Sequence, residues 1–197
     1  MIQVCTQNTN DTWFAIACSE QQIVATSFAN AEQKVLNHLL NNLPFNTPFQ
    51  VLSTPSTYAK EVFTLMTDIL KGKDIDHSFD LVTDKLPKYT IQVLNAVMQI
   101  PTGYIASYGA VAKAVGGGPR AVGNVMAGNI FVPLVPCHRI VKSDFSLGGY
   151  GGGLKIKYQL LMKEKRGYLE PKNIPIKNGD VLRIYPVEVT LKNTSLL

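Results

Sequence analysis

At 197 residues, 46% hydrophobic and 17% charged, the chain has enough apolar material to bury a core, as one domain or two small ones, and is not a disordered or low-complexity polypeptide. Three cysteines, Cys5, Cys18 and Cys137, are too few and too scattered for a secreted disulfide scaffold or a four-ligand zinc site. The N-terminal Met-Ile-Gln-Val-Cys-Thr lacks a basic and then apolar leader, and no apolar run reaches ~18 residues, so a reducing intracellular compartment and no membrane partner are expected.

The net charge of +5 is unevenly spread. Residues 1–86 carry 5 basic against 9 acidic side chains, residues 87–170 carry 10 against 3, and the tail from 171 carries 4 against 2. A basic middle segment of this kind is either a solvated surface or the electrostatic footprint of a phosphate-binding face.

Taken in chain order, Ile2 to Cys5, Trp13 to Ala17 and Gln22 to Phe28 are β-rich runs separated by polar turns, which predicts a three-stranded antiparallel meander. Asn30 then reads as the cap of a helix with Gln33 in the capping-box position and Val35, Leu36, Leu39, Leu40 and Leu43 on one stripe. A second helix starts near Ser56, carries Val62, Phe63, Met66, Ile69 and Leu70 inward, and stops at Gly72. This half offers no catalytic constellation.

The composition changes near Asp84 to Pro87, which sets a boundary at residue 86. Thr90 reads as the cap of a helix carrying Ile91, Leu94, Val97 and Met98, stopped by Pro101. Ser107 caps a short helix with Val111, Ala112 and Val115, closed by Gly116. Gly117-Gly118 turns the chain into a third helix with Pro119 at its first position. Short helix, glycine turn, short helix is the outline of a helix-turn-helix or of a structural helical hairpin. The third helix offers Arg120 and Asn124 but otherwise small or apolar side chains, so it suits sequence-tolerant docking better than base reading.

Asn129 to Val141 holds two prolines, then Cys137-His138-Arg139 and two β-branched residues, a pattern that predicts a buried extended segment. On such backbone adjacent side chains point apart, so His138 would reach the Cys137 sulfur only through a water or a local turn. On its own, an apolar-flanked cysteine is most often a small core hydrophobe. Leu147 to Gly153 has five glycines in seven residues without a phosphate-loop pattern, and reads as a ligand-lining loop. The next helix, about Leu154 to Lys165, is predicted to bury Leu154, Tyr158, Leu161 and Met162, with Lys157 and Glu164 at the edge of that stripe. In the tail, Val181 to Leu191 alternates as a strand with Val187, Val189 and Leu191 on one face.

In order and spacing, Ile100-Pro101-Thr102-Gly103, Ser107-Tyr108-Gly109, Arg120-Ala121-Val122-Gly123, Asn129, Pro136-Cys137-His138-Arg139 and Gly149-Tyr150 through Glu164 resemble the O6-alkylguanine-DNA alkyltransferase family. The likeness covers residues 87–167 closely. It implies a fold of α/β plus α type: a small N-terminal domain with a three-stranded antiparallel sheet and helices over 1–86, a mostly helical DNA-binding and catalytic domain with a helix-turn-helix over 87–170, and an extension over 171–197.

The resemblance also implies a suicide reaction without a cofactor, in which an alkyl group on guanine O6 or thymine O4 of duplex DNA passes irreversibly to Cys137 after base flipping from the minor groove. By position, His138 would deprotonate the thiol through a water, Glu164 would orient His138, and Asn129 would hold the segment. Tyr108 would help swing the nucleotide out and hydrogen-bond the guanine, and Arg120 would replace the extruded base. Met126, Leu147, Gly148, Gly149, Tyr150, Gly151 and Gly152 would line the base pocket, backbone carbonyls near Cys137 and Ile140 would read the guanine amino group, and Lys157 would support the site. The partner implied is double-stranded DNA with alkylated guanine, met by a monomer in the cytoplasm, or in the nucleus of a eukaryote.

Several features depart from the family pattern. The turn before Arg120 is about two residues shorter than in many members, with a proline ahead of the arginine. Gly151 stands where some members have serine, no zinc site accompanies Cys5 and Cys18, and the tail passes the usual end. The rival readings are a non-enzymatic lesion binder, a cysteine hydrolase and a transcriptional regulator. Against them stand, in turn, the retained Cys137, His138 and Glu164, the absence of an oxyanion device, and the absence of a base-reading helix or dimer element.

Overall fold

Asn10 and Asp11, with φ of 49° and 62°, form the two-residue turn that pairs β1 (Ile2–Thr9) with β2 (Thr12–Ser19), since short polar residues tolerate left-handed backbone. Glu20, with φ of 56°, begins the turn that returns β2 along β3 (Gln22–Ala29). The predicted meander is therefore present. In this computed structural model, which describes all residues except 44–45, 76–78, 177–179 and 195–197, α1 (Glu32–Asn41) follows the meander. The helix starts from Ala31 with no side-chain cap, so Asn30 does not cap it, and Gln33 donates along the helix to Asn37. The sheet has five strands rather than three: β4 (Phe49–Val51) adds parallel to β1 and β5 (Asp80–Leu81) adds parallel to β3. Between them α2 (Thr57–Leu70) begins where the Ser56 hydroxyl accepts from the Ala59 N–H. Val4, Ala15, Ala17, Ala25, Val35 and Leu39 make the core of this layer.

The chain divides into two compact units, the first comprising Met1–Ile69, Ile75–Lys85 and Ile130–Leu134, the second Leu70–Asp74, Leu86–Asn129 and Val135–Leu197. In the first, the returning segment is tied to β3 by the Thr26 N–H, which donates to the Ile130 carbonyl at 2.8 Å.

In the second unit, α3 (Lys88–Met98) starts from Pro87, so Thr90 lies inside its first turn and is not a cap. β6 (Tyr104–Ser107) leads directly into α4 (Tyr108–Val115), whose first turn is capped by the Ser107 hydroxyl accepting from Ala110 N–H at 3.0 Å. Gly116, Gly117 and Gly118 carry the chain to α5 (Pro119–Ala127). Gly117 has φ of 86°, and a Cβ there would lie 2.8 Å from the Tyr89 hydroxyl, so glycine is required twice over.

The stretch before and around Cys137 is not extended. Residues 132–134 are turns, with a cis Val132–Pro133 bond, and Cys137–Arg139 is a single 3₁₀ turn, which two prolines in one short segment favour over a strand. β7 (Ile140–Val141) then pairs in parallel with β6.

The glycine loop ends at α6 (Leu154–Lys163), whose buried face carries Lys157, Leu160 and Leu161, while Leu154 and Met162 are more than two-fifths exposed. That corrects the predicted stripe. Two ionisable residues occupy the inner face, so a reading that counts apolar positions alone turns the helix the wrong way.

Beyond it, β8 (Lys172–Pro175) and β9 (Val181–Pro186) form a hairpin whose second strand pairs with β6, giving the order β7-β6-β9-β8. Pro186 ends the strand and Val187–Asn193 is a helix, α7, contrary to the β reading of Val187 to Leu191. Among the described residues no helix is long and apolar enough to cross a membrane.

Candidate active site

Cys137 sits at the head of the 3₁₀ turn, 8% exposed; its own N–H donates to the Val135 carbonyl at 2.8 Å, and that N–H and the one of His138 both favour a charged sulfur. The Asn129 amide donates to the Val135 carbonyl at 3.0 Å and also bonds the sulfur, so one side chain fixes both the approach segment and the thiol. Burial pushes the thiol up from its ordinary value, while the Asn129 bond, the Lys157 ammonium and the two N–H groups pull it back.

His138 is fully buried. Its Nε2 lies 2.8 Å from Glu164 Oε1. Burial lowers its pKa and Glu164 opposes that shift, the net direction being down, so the ring is neutral in the folded protein at neutral pH. An ionised carboxylate only accepts hydrogen bonds, so Nε2 carries the hydrogen and Nδ1 keeps its lone pair. Nδ1 is buried and has no protein partner among the described residues. His138 and the cysteine that precedes it share one tight 3₁₀ turn rather than extended backbone.

Glu164, the C-cap residue of α6, is anchored more heavily than the sequence indicated. Arg139 donates from Nε to both carboxylate oxygens at 3.1 and 3.0 Å, and from Nη2 to Oε1 at 2.8 Å. The Gly103 N–H donates to Oε2 at 3.4 Å. Burial pushes the acid up, but His138 and Arg139 together outweigh it and hold the carboxyl at about 2. The rest of the Arg139 guanidinium is spent on the Ile100 carbonyl at 2.6 Å and the Thr102 hydroxyl at 3.1 Å. The sequence motif carries Arg139 without a role; its position directly after the cysteine-histidine pair is the available signal.

Lys157 reaches from the inner face of α6 to the carbonyls of Ile140 and Gly149, the latter at 3.2 Å, which joins the strand after the 3₁₀ turn to the glycine loop. Its burial lowers the ammonium to about 8, against the pull of Cys137. Tyr108 and Tyr150 are both raised by burial and then by Cys137, so both phenols lie within electrostatic reach of the sulfur and remain protonated at neutral pH. Gly148, with φ of 67°, lets the loop pass Tyr108: a Cβ would lie 3.2 Å from its ring.

The structure therefore brings Asn129, Tyr108, Tyr150 and Lys157 within reach of the Cys137 sulfur, ties Ile140 and Gly149 to that Lys157, and pairs His138 with Glu164. Leu147 is largely buried, and with Gly148, Gly149 and Tyr150 it lines an open cavity of about 580 Å³. Met126 is buried on α5, Gly151 and Gly152 are exposed, and Arg120 is exposed in the first turn of α5. All three cysteines are free, and among the described residues no group of three or more acidic, histidine or cysteine side chains is arranged to hold a metal.

A family model described as 6-O-methylguanine DNA methyltransferase, DNA binding domain, matches residues 88–166. A methylated-DNA--protein-cysteine methyltransferase from Pyrobaculum aerophilum is 46% identical over 81 residues, 41% of this chain and 52% of the relative, so the chain spans about half the length of that relative. One from Sulfurisphaera tokodaii is 33% identical over 112 residues, 57% of this chain and 71% of the relative. The crystal structure of O6-methylguanine-DNA methyltransferase from Pyrococcus kodakaraensis strain KOD1 is similar with a TM-score of 0.63 and 25% identity, covering 83% of this chain and 99% of that one.

Proposed function

The chain belongs to the methylated-DNA--protein-cysteine methyltransferase family, and from that premise we propose that it repairs DNA by moving an alkyl group from guanine O6, or thymine O4, onto its own Cys137. The observation that supports the reading is a fully buried His138, the residue directly after Cys137, whose Nε2 meets an ionised Glu164 carboxylate at 2.8 Å and whose Nδ1 has no protein partner among the described residues.

The step balances simply. The Cys137 proton passes to His138 Nδ1 through a water, Glu164 stabilises the imidazolium, and the sulfur electron pair forms the S–C bond. The C–O6 bond breaks, its electron pair stays on the base, and a proton restores guanine. A thioether is no leaving group in this site, so each molecule reacts once and needs no cofactor.

A base inside a duplex cannot bring O6 to a buried sulfur, so the nucleotide must be extruded, at a cost of about a few kcal/mol. Arg120, exposed on a helix otherwise poor in base-reading side chains, fills the gap left in the duplex from the minor groove. Tyr108 hydrogen-bonds the guanine, and the Ile140 carbonyl, the loop from Leu147 through Gly152 and Met126 surround it. Residues 87–170 carry docking and transfer, residues 1–86 form the accompanying α/β domain, and residues 171–197, of which 177–179 and 195–197 lie outside the described residues, extend the docking and transfer domain. The protein acts as a monomer on double-stranded DNA, in the cytoplasm or, in a eukaryote, the nucleus.

The test is intact mass and peptide mapping after mixing with duplex DNA containing O6-methylguanine. A gain of about 14 Da, one methyl, on Cys137 and at most once per molecule is expected. Binding of that DNA with unchanged mass would replace this reading with a lesion binder.

A further inference from the structure

The residues beyond Pro171 lie outside the matched family region, yet they touch the chain on both sides of the Glu164 carboxylate. Glu188, in the first turn of α7 and 9% exposed, accepts from the Arg166 N–H at 3.2 Å and the Gly167 N–H at 2.6 Å, two and three residues past Glu164. Its neighbour Val187 donates its N–H to the Gly103 carbonyl at 2.9 Å. Gly103 is the residue whose own N–H reaches Glu164 Oε2. One dipeptide of the tail thus grips the two backbone segments that converge on the acid of the relay. A merely first-turn glutamate would be satisfied by its own helix and solvent. Here one carboxylate oxygen spans to another element, and the other is buried with no partner among the described residues.

We propose that Glu188 is a positioning residue for the transfer centre: by fixing the backbone after Glu164 it keeps that carboxylate on His138 and so sets how readily Cys137 gives up its proton. The inference rests on the transfer reading above. The Arg166 side chain gives the same stretch a second anchor, on the Gly72 carbonyl, so loss of Glu188 loosens the acid without releasing it. A displaced Glu164 supports the imidazolium less well, the thiolate then forms only at higher pH, and the rate falls at neutral pH.

The experiment compares wild type with Glu188→Ala, Glu188→Gln and Glu188→Asp, reading single-turnover methyl transfer from duplex O6-methylguanine DNA from roughly pH 6 up to about 11, past the ordinary thiol range. Alkylation of Cys137 by a small thiol reagent, localised by peptide mapping, is followed over the same range. The alanine variant should transfer on the order of tenfold more slowly at neutral pH, with both pH midpoints moved upward. The glutamine variant, whose amide oxygen accepts the same two N–H groups, should keep the wild-type profile. If the alanine variant does not fold, the aspartate variant decides, since it keeps the charge but withdraws the oxygens by one methylene; it should show the upward midpoint. Wild-type midpoints in both the alanine and aspartate variants overturn the proposal, as does a glutamine variant as impaired as alanine. Should wild type transfer no methyl, the transfer reading fails by itself, and the thiol alkylation midpoints still decide whether Glu188 acts on Cys137.

Discussion

Arg139 holds Glu164 by three hydrogen bonds, two from Nε and one from Nη2, and both side chains are almost wholly buried. A buried pair of this kind is costly to break from one side, because the remaining charge has no water to turn to. Arg139→Ala should therefore lower stability by about 3–5 kcal/mol. Arg139→Lys should recover only part of it, since one ammonium cannot serve the carboxylate, the Ile100 carbonyl and the Thr102 hydroxyl together. Urea unfolding of the two variants measures this, and equal stability of the lysine variant and wild type would contradict the bidentate account.

The same carboxylate gives a pH signature. Its folded pKa of about 2 lies below the ordinary 4.5, so the unfolded chain binds the proton first. Stability from this group is full above pH 4.5 and is lost as pH falls through the folded value, down to about 2. Glu164→Gln has no such proton to bind. The stability gap between wild type and Glu164→Gln should be widest above pH 4.5 and shrink between 4.5 and about 2, as read from denaturant midpoints at a series of pH values.

Much of this centre could be read before the structure. Cys137, His138 and the Ser107 cap stand in local motifs whose chemistry is explicit, and the β1–β3 meander has the period and turns of its kind. What the sequence hid has physical causes. Lys157 and Glu164 share the inner face of α6 with Leu160 and Leu161, so counting apolar residues alone put Leu154 and Met162 inside. Val187, Val189 and Leu191 alternate like a strand, but Pro186 ends the ladder and the segment closes into α7, burying Val187, Glu188 and Thr190. β4 and β5, of three and two residues, are too short to carry any period. Arg139 was hidden because an arginine beside a reactive pair reads as a surface cation until its partners are known.

Gly148 tests how the loop is set. Its φ of 67° is left-handed, and an added Cβ would come within 3.2 Å of the Tyr108 ring and 3.4 Å of the Lys142 side chain. Gly148→Ala carries a backbone cost of about 1–2 kcal/mol and pushes either the loop or Tyr108 aside. Transfer from O6-methylguanine duplex should slow by on the order of tenfold, with a thermal midpoint lowered by a few degrees. An alanine variant with the wild-type transfer rate would mean that the loop and Tyr108 do not meet in the reacting state.

Lys157 makes the last prediction, because its charge is tunable in the accessible range. At about 8 its ammonium is present at neutral pH, where it favours the Cys137 thiolate and ties Ile140 to Gly149. As pH rises past that value the ammonium loses its proton, and the thiolate loses the support of that cation. Transfer by wild type should therefore rise with pH as the thiol ionises and then bend over near pH 8. Lys157→Met, similar in length and apolar, removes the cation at every pH. It should transfer on the order of tenfold more slowly at neutral pH and rise through alkaline pH without the bend. If the bend persists in Lys157→Met, another group sets it, and the electrostatic part assigned to Lys157 falls while its hydrogen bonds stand.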